Sequence, residues 1–123
     1  MQSDSLKPKS ELKRRCYQFS LNIIKLADIL PRGAASSVIY SQLLRSATSI
    51  GANIVEASAS SSKRDFANFY TIALKSANET KYWLGLLRDG VKVDSGQMNN
   101  LLNEVEEISN ILGASVLTMR NKR

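Results

Sequence analysis

A chain of 123 residues, 43% hydrophobic and 23% charged, has the length and composition of one ordinary globular domain that needs no metal or disulfide to hold its core. It has no histidine and a single cysteine, Cys16, which excludes an internal disulfide, a cysteine zinc cluster and every nucleophile activated by imidazole. Its net charge of +6 leaves two readings open, a merely solubilising surface or a polyanion partner.

Residues 1–9 read as a frayed basic lead without an apolar signal core. Ser10 is placed to cap a first helix running to about Leu30. Leu12, Cys16, Phe19, Ile23, Leu26 and Leu30 alternate four and three apart, the seam of a helical bundle. Pro31 and Gly33 stop it. Cys16 lies in the seam and is expected to pack as a small apolar residue.

The second helix is predicted from Ser36 or Ser37 to about Ala59. Leu43, Ala47, Ile50, Ile54 and Ala57 form its seam, and Leu44, Gly51 and Val55 a second apolar stripe. Two stripes imply two packing duties. Gly51 costs a helix interior about 1 kcal/mol relative to Ala, so close approach by another helix is its expected compensation. The stretch is nearly uncharged, with Arg45 and Glu56 the only ionisable residues between Gln42 and Ala57. The polar stripe contains Arg45, Ser49, Asn53 and Glu56. With Glu79 from the third helix, these are expected to form a buried polar set in which Arg45 meets a carboxylate and fixes packing or subunit register.

Ser62 and Asp65 resemble a capping box opening a third helix from Lys63 to about Asp89. Phe66, Tyr70, Ala73, Ala77, Thr80, Leu84 and Leu87 keep the four-three spacing. A second band of Phe69, Ile72, Ser76, Glu79, Trp83 and Leu86 runs beside them, with Trp83 either wide core or an interface anchor. Asp89-Gly90 reads as a left-handed stop. The fourth helix is capped by Asp94 or Ser95, and its predicted seam is Leu101, Val105, Ile108, Leu112, Ser115 and Met119. The last residues, 120–123, form a basic tail.

Four long helices with short connections predict an all-α fold, an antiparallel up-down-up-down four-helix bundle in one domain over residues 1–123. That topology gathers Lys7, Lys9, Lys13, Arg14, Arg15, Lys63, Arg64, Arg120, Lys122 and Arg123 at one end. These are ten of the seventeen basic residues, against Asp4, Glu11, Glu56 and Asp65, so this end carries the whole net charge of +6. Clustered cations suit phosphate contact without base readout. Di-metal helical bundles use Glu-x-x-His pairs, and without histidine neither a metal centre nor a catalytic site is expected. No cofactor is called for, no apolar run reaches membrane-spanning length, and a cytoplasmic location is expected.

From Gln42 onward the residues are familiar as a set. Gln42-Leu43, Arg45-Ser46, Ser49-Ile50, Ala52-Asn53-Ile54 and Glu56 resemble the second-helix signature of the four-helix-bundle proteins encoded in intervening sequences of 23S ribosomal RNA genes. Lys63 to Phe66, then Phe69, Ile72-Ala73, Ser76, Glu79 and Leu84, resemble that family's third helix. Ala57 departs from the family's Gly after the Glu, so the turn is expected to start later. The resemblance implies an antiparallel bundle and a homo-oligomer, a pentameric ring by similarity to family members and to the related accessory proteins of diversity-generating retroelements. It also implies nucleic-acid binding or a protein partner such as a reverse transcriptase. The combined expectation is a non-enzymatic homo-oligomer binding RNA or DNA non-specifically through its basic end; the alternative is an oligomeric scaffold recruiting a nucleic-acid enzyme. Leu44, Gly51, Val55 and Trp83 are the expected oligomer interface.

Overall fold

The computed structural model describes the backbone of residues 8–121 and the side chains from Ser10 to Asn121. Four helices account for most of it: α1 (Pro8–Leu26), α2 (Ala34–Ala59), α3 (Lys63–Gly90) and α4 (Ser95–Asn121). Each helix packs on two neighbours, α1 on α2 and α4, and α3 on α2 and α4, as the corners of a square do. Short connections make successive helices antiparallel, and the fold is an up-down-up-down four-helix bundle. The α2–α3 interface is the most extensive of the four and α1–α4 the sparsest. No helix among the described residues is long and apolar enough to cross a membrane.

The core is the set of seams facing the bundle axis. Leu12, Cys16, Phe19, Ile23 and Leu26 from α1 meet Leu43, Ala47, Ile50, Ile54 and Ala57 from α2. From α3 come Tyr70, Ala73, Ala77, Leu84 and Leu87. On α4 the seam is Met98, Leu101, Val105, Ile108, Leu112 and Val116. The predicted step to Ser115 is therefore wrong by one residue. Val116 lies one turn beyond Leu112, and its isopropyl group gains more from burial than a hydroxyl does.

The helix ends correct four other expectations. The first helix begins at Pro8, within the expected frayed lead, so Ser10 lies inside it and does not cap it. The first helix stops at Leu26 rather than Leu30, and the chain tightens through i to i+3 bonds, Ala27 to Ile24 at 3.2 Å and Ile29 to Leu26 at 3.1 Å. The terminal carbonyls of a helix lack internal partners, and Tyr40 supplies one, its hydroxyl donating to the Ile23 carbonyl at 2.8 Å. The second helix begins at Ala34, with Gly33 before it at φ 154° and ψ 158°, a conformation almost confined to glycine. Gly90 makes no left-handed stop. It is the last residue of α3, and extended Val91 closes the helix by donating its N–H to Leu87 at 3.2 Å. The expected caps are present elsewhere: the Asp65 N–H donates to Ser62 Oγ at 3.0 Å, and the Gly96 N–H to Asp94 Oδ1 at 2.9 Å. Ala57 is buried in the core, and α2 continues two residues past it before Ser60 ends the helix.

Candidate functional site

The topology brings the start of α1, the α2–α3 turn and the end of α4 to one end of the bundle. Lys7, Lys122 and Arg123, and the side chain of Lys9, lie outside the described residues. Lys63, Arg64 and Arg120 are exposed and make no ion pair among the described residues. Lys13 is exposed and unpaired too, but it stands more than a turn up α1 from Pro8, on the flank of the bundle. Arg14 pairs with Glu11 one turn before it and stays largely exposed.

Arg15 has a different role from the other cations. Its Nε donates to Glu104 at 2.9 Å and its Nη2 to the same carboxylate at 2.8 Å, while Nη2 also reaches Glu107 at 2.7 Å. These bonds, chiefly the one to Glu104, hold the guanidinium pKa above its ordinary value. The clamp crosses from α1 to α4, the side where the helices touch least. A cleft of about 430 Å³ opens there, lined by both arginines, Glu11, Gln18, Asn22, Glu104 and Glu107 over Phe19. Arginines and acids answer one another within it, so Arg15 ties α1 to α4 and is already saturated with carboxylate oxygen.

The buried polar set is not the expected one. Arg45, Glu56 and Glu79 are exposed in the chain. Arg45 reaches only Gln42, at 3.4 Å, and Glu79 accepts the Trp83 indole N–H at 3.1 Å. What α2 and α3 bury between them is a ladder of small hydroxyls. Thr80 and Ser46 stand 2.9 Å apart, and Ser76 donates to Ser49 at 2.9 Å. Asn53 donates to the Ser49 hydroxyl at 3.0 Å and to its carbonyl at 2.8 Å. Short neutral groups satisfy one another at low desolvation cost, whereas buried ions cost several kcal/mol each, which is why the charges turn outward. No buried side-chain polar atom among the described residues lacks a partner, and no cluster there has the residue types to hold a metal.

The expected interface residues divide. Gly51 serves the chain itself, since a Cβ built on it would lie 3.3 Å from Cys16 Cβ. The α1 backbone passes close there, with the Cys16 carbonyl carbon 3.7 Å from the same position. Leu44 packs partly on the core and Val55 is exposed. Trp83 is half-buried, its ring edge-on to Tyr82 at 5.1 Å. Sequence reasoning missed Tyr17, 70% exposed, and Ile24, 52% exposed, as apolar surface on α1. Their seven-residue spacing just off the α1 seam was the available signal.

Residues 9–114 match the family model described as 23S rRNA-intervening sequence protein. The chain belongs to that family. Among solved structures, this member of the 23S rRNA-intervening sequence proteins is similar to a protein of unknown function from the S23 ribosomal protein family of Bacteroides thetaiotaomicron VPI-5482. The two are 39% identical with a TM-score of 0.79, over 85% of this chain and 97% of that one. No curated protein matches the chain.

Proposed function

We propose that this protein is a non-enzymatic, cytoplasmic homo-oligomer that binds RNA or DNA through the end of the bundle where α2 turns into α3. The observation that carries the reading is the group of exposed, unpaired cations there, Lys63, Arg64 and Arg120. Phosphate binding rests on such cations, and each one engaged releases counterions, so affinity falls steeply with salt. Arg15 leaves the binding set because its donors are spent on α4. Repetition of the end in a ring, five-membered by the family resemblance, would multiply the charge presented to one strand.

The test is retention of labelled RNA and DNA by the wild-type protein and by a Lys63→Glu, Arg64→Glu, Arg120→Glu variant over a salt series. The wild type is expected to bind both nucleic acids with a salt-dependent affinity, and the variant to lose binding while keeping its native mass. Equal retention by both proteins would refute the reading. It would favour the scaffold alternative, in which the bundle recruits a protein such as a reverse transcriptase.

A further inference from the structure

We propose that the nucleic acid is taken as a single strand, which leaves the basic end along the outer face of α1 and stacks one base on Tyr17. This rests on the nucleic-acid reading above and names the form of the ligand and a contact which that reading does not contain. Tyr17 is 70% exposed, more than any other large apolar side chain among the described residues. Its hydroxyl makes no hydrogen bond there, and its ring meets no other ring. A ring held out in this way adds little to the core. Its apolar face is open to a partner that lies flat on it.

The charges around Tyr17 select that partner. Helix α1 carries five basic residues, Lys9, Lys13, Arg14, Arg15 and Lys25, and one acid, Glu11. Arg15 turns to α4 and occupies Glu104 and Glu107, while Glu11 is occupied by Arg14. Glu106, the third acid of α4, holds Lys81 of α3. Lys25 stands with Asp28 at the far end of α1, so the two offset each other. On α2 the only charged residues are Arg45 and Glu56. They stand one turn before and two turns after Ser49, whose hydroxyl meets Ser76 of α3. Both are thus on the α3 side of α2, whereas Gly51 marks the side that meets α1. Helix α3 itself lies across the bundle from α1. The charges next to Tyr17 are therefore Lys13 and Arg14, one turn before it and both exposed. No unpaired carboxylate stands beside them among the described residues.

Height along the bundle sets the path. The contact of Cys16 with Gly51 makes Pro8 level with Ala59, the last residue of α2, just before the turn that leads to Lys63 and Arg64. Lys13 is five residues from Pro8 and Tyr17 nine, or about 8 and 14 Å at the helical rise. A strand whose phosphates sit on Lys63, Arg64 and Arg120 meets Lys13 next and then Tyr17, down one flank. A duplex keeps its bases stacked on one another and offers this ring only their edges and phosphates. A single strand can turn a base out onto it, and stacking on an aromatic ring tolerates any base. That suits cations which position a backbone without reading sequence.

The experiment measures affinity by fluorescence anisotropy for three labelled probes of equal length: a single strand, the same strand as a duplex, and an abasic single strand. The wild type is expected to prefer the single strand that carries bases. Tyr17→Ala is expected to lower that affinity about 5- to 150-fold, to leave the abasic strand unaffected, and to keep its native mass. Tyr17→Phe is expected to bind as the wild type does. Lys13→Ala is expected to weaken both single strands alike and to reduce the slope of log affinity against log salt by about 0.7. Photo-crosslinking of the wild type to a strand carrying halogenated uracil is expected to label Tyr17, which tests the placement even if a variant fails to fold. Equal affinity of Tyr17→Ala and wild type for the single strand, or crosslinks that spare Tyr17, would overturn this path. The Lys63, Arg64 and Arg120 variant decides the basic end separately. A changed native mass of Tyr17→Ala would make Tyr17 a contact between copies and also overturn the proposal. A wild type that holds no nucleic acid would overturn both readings.

Discussion

Replacing Arg15 by methionine removes the clamp between α1 and α4 but keeps most of the side-chain stem. The Arg15 side chain is 22% exposed and that of Glu104 34%, and they form two bonds at 2.8 and 2.9 Å. A fully exposed pair is worth about 0.2–1 kcal/mol, and a hydrogen bond to a charged group about 1.5–3 kcal/mol where solvent is excluded. The clamp lies between those limits, and its contact with Glu107, 65% exposed, adds little. The substitution should cost about 1–2 kcal/mol. For a domain of this size that lowers the melting temperature by roughly 3–10 °C. Urea unfolding at fixed protein concentration measures the cost. A double-mutant cycle with Glu104→Gln should return a coupling of about 1 kcal/mol. Nucleic-acid retention should be unchanged, because the guanidinium is already occupied. A melting temperature within a degree of wild type, or retention lost at full stability, would refute the assignment of Arg15 to the fold.

The contact at Gly51 makes two sizes of substitution behave differently. Gly51→Ala gains about 1 kcal/mol of helix propensity but presses a methyl 3.3 Å from Cys16 Cβ, so its melting temperature should stay close to wild type. Gly51→Leu overfills the same contact and should destabilise by about 1–3 kcal/mol, with melting curves as the check. Burial pushes the Cys16 thiol up to about 12 from an ordinary 9.0. Below pH 9.0 the thiol is protonated in both states and favours neither. Above it the unfolded chain gains by ionising while the buried thiol does not, so stability falls as pH rises through 9.0 toward about 12. Urea midpoints across that range should fall less for Cys16→Ala than for wild type, and alkylation of native Cys16 at pH 8 should track unfolding.

Periodicity revealed the helices, their order and most of the core, because a seam repeated over five or more turns outweighs any single residue. It was weaker where one residue decides. Ser115 and Val116 both continue the α4 pattern, and only the position of the neighbouring helices separates them. Gly51 was legible as a close approach, but whether α1 or another subunit supplied the neighbour was not. The polar stripe on α2 was legible as polar. That its small members turn inward and Arg45 and Glu56 outward depends on the desolvation cost of ions, which spacing does not report. Arg15 was grouped with the cations of the basic end because its partners lie 89 and 92 residues away in sequence.

The unequal interfaces of the bundle also set an order in time. The most extensive contact, α2 on α3, closes across a three-residue turn, whereas the sparsest, α1 on α4, joins the most distant parts of the chain. Local contacts cost little loop entropy and distant ones cost more. The α2–α3 hairpin is therefore the natural nucleus, α4 and the rest of α1 gather on it, and the Arg15 clamp closes last. The sparsest contact is also the one that costs least to part, so the seam between α1 and α4 is expected to open first when the bundle breathes.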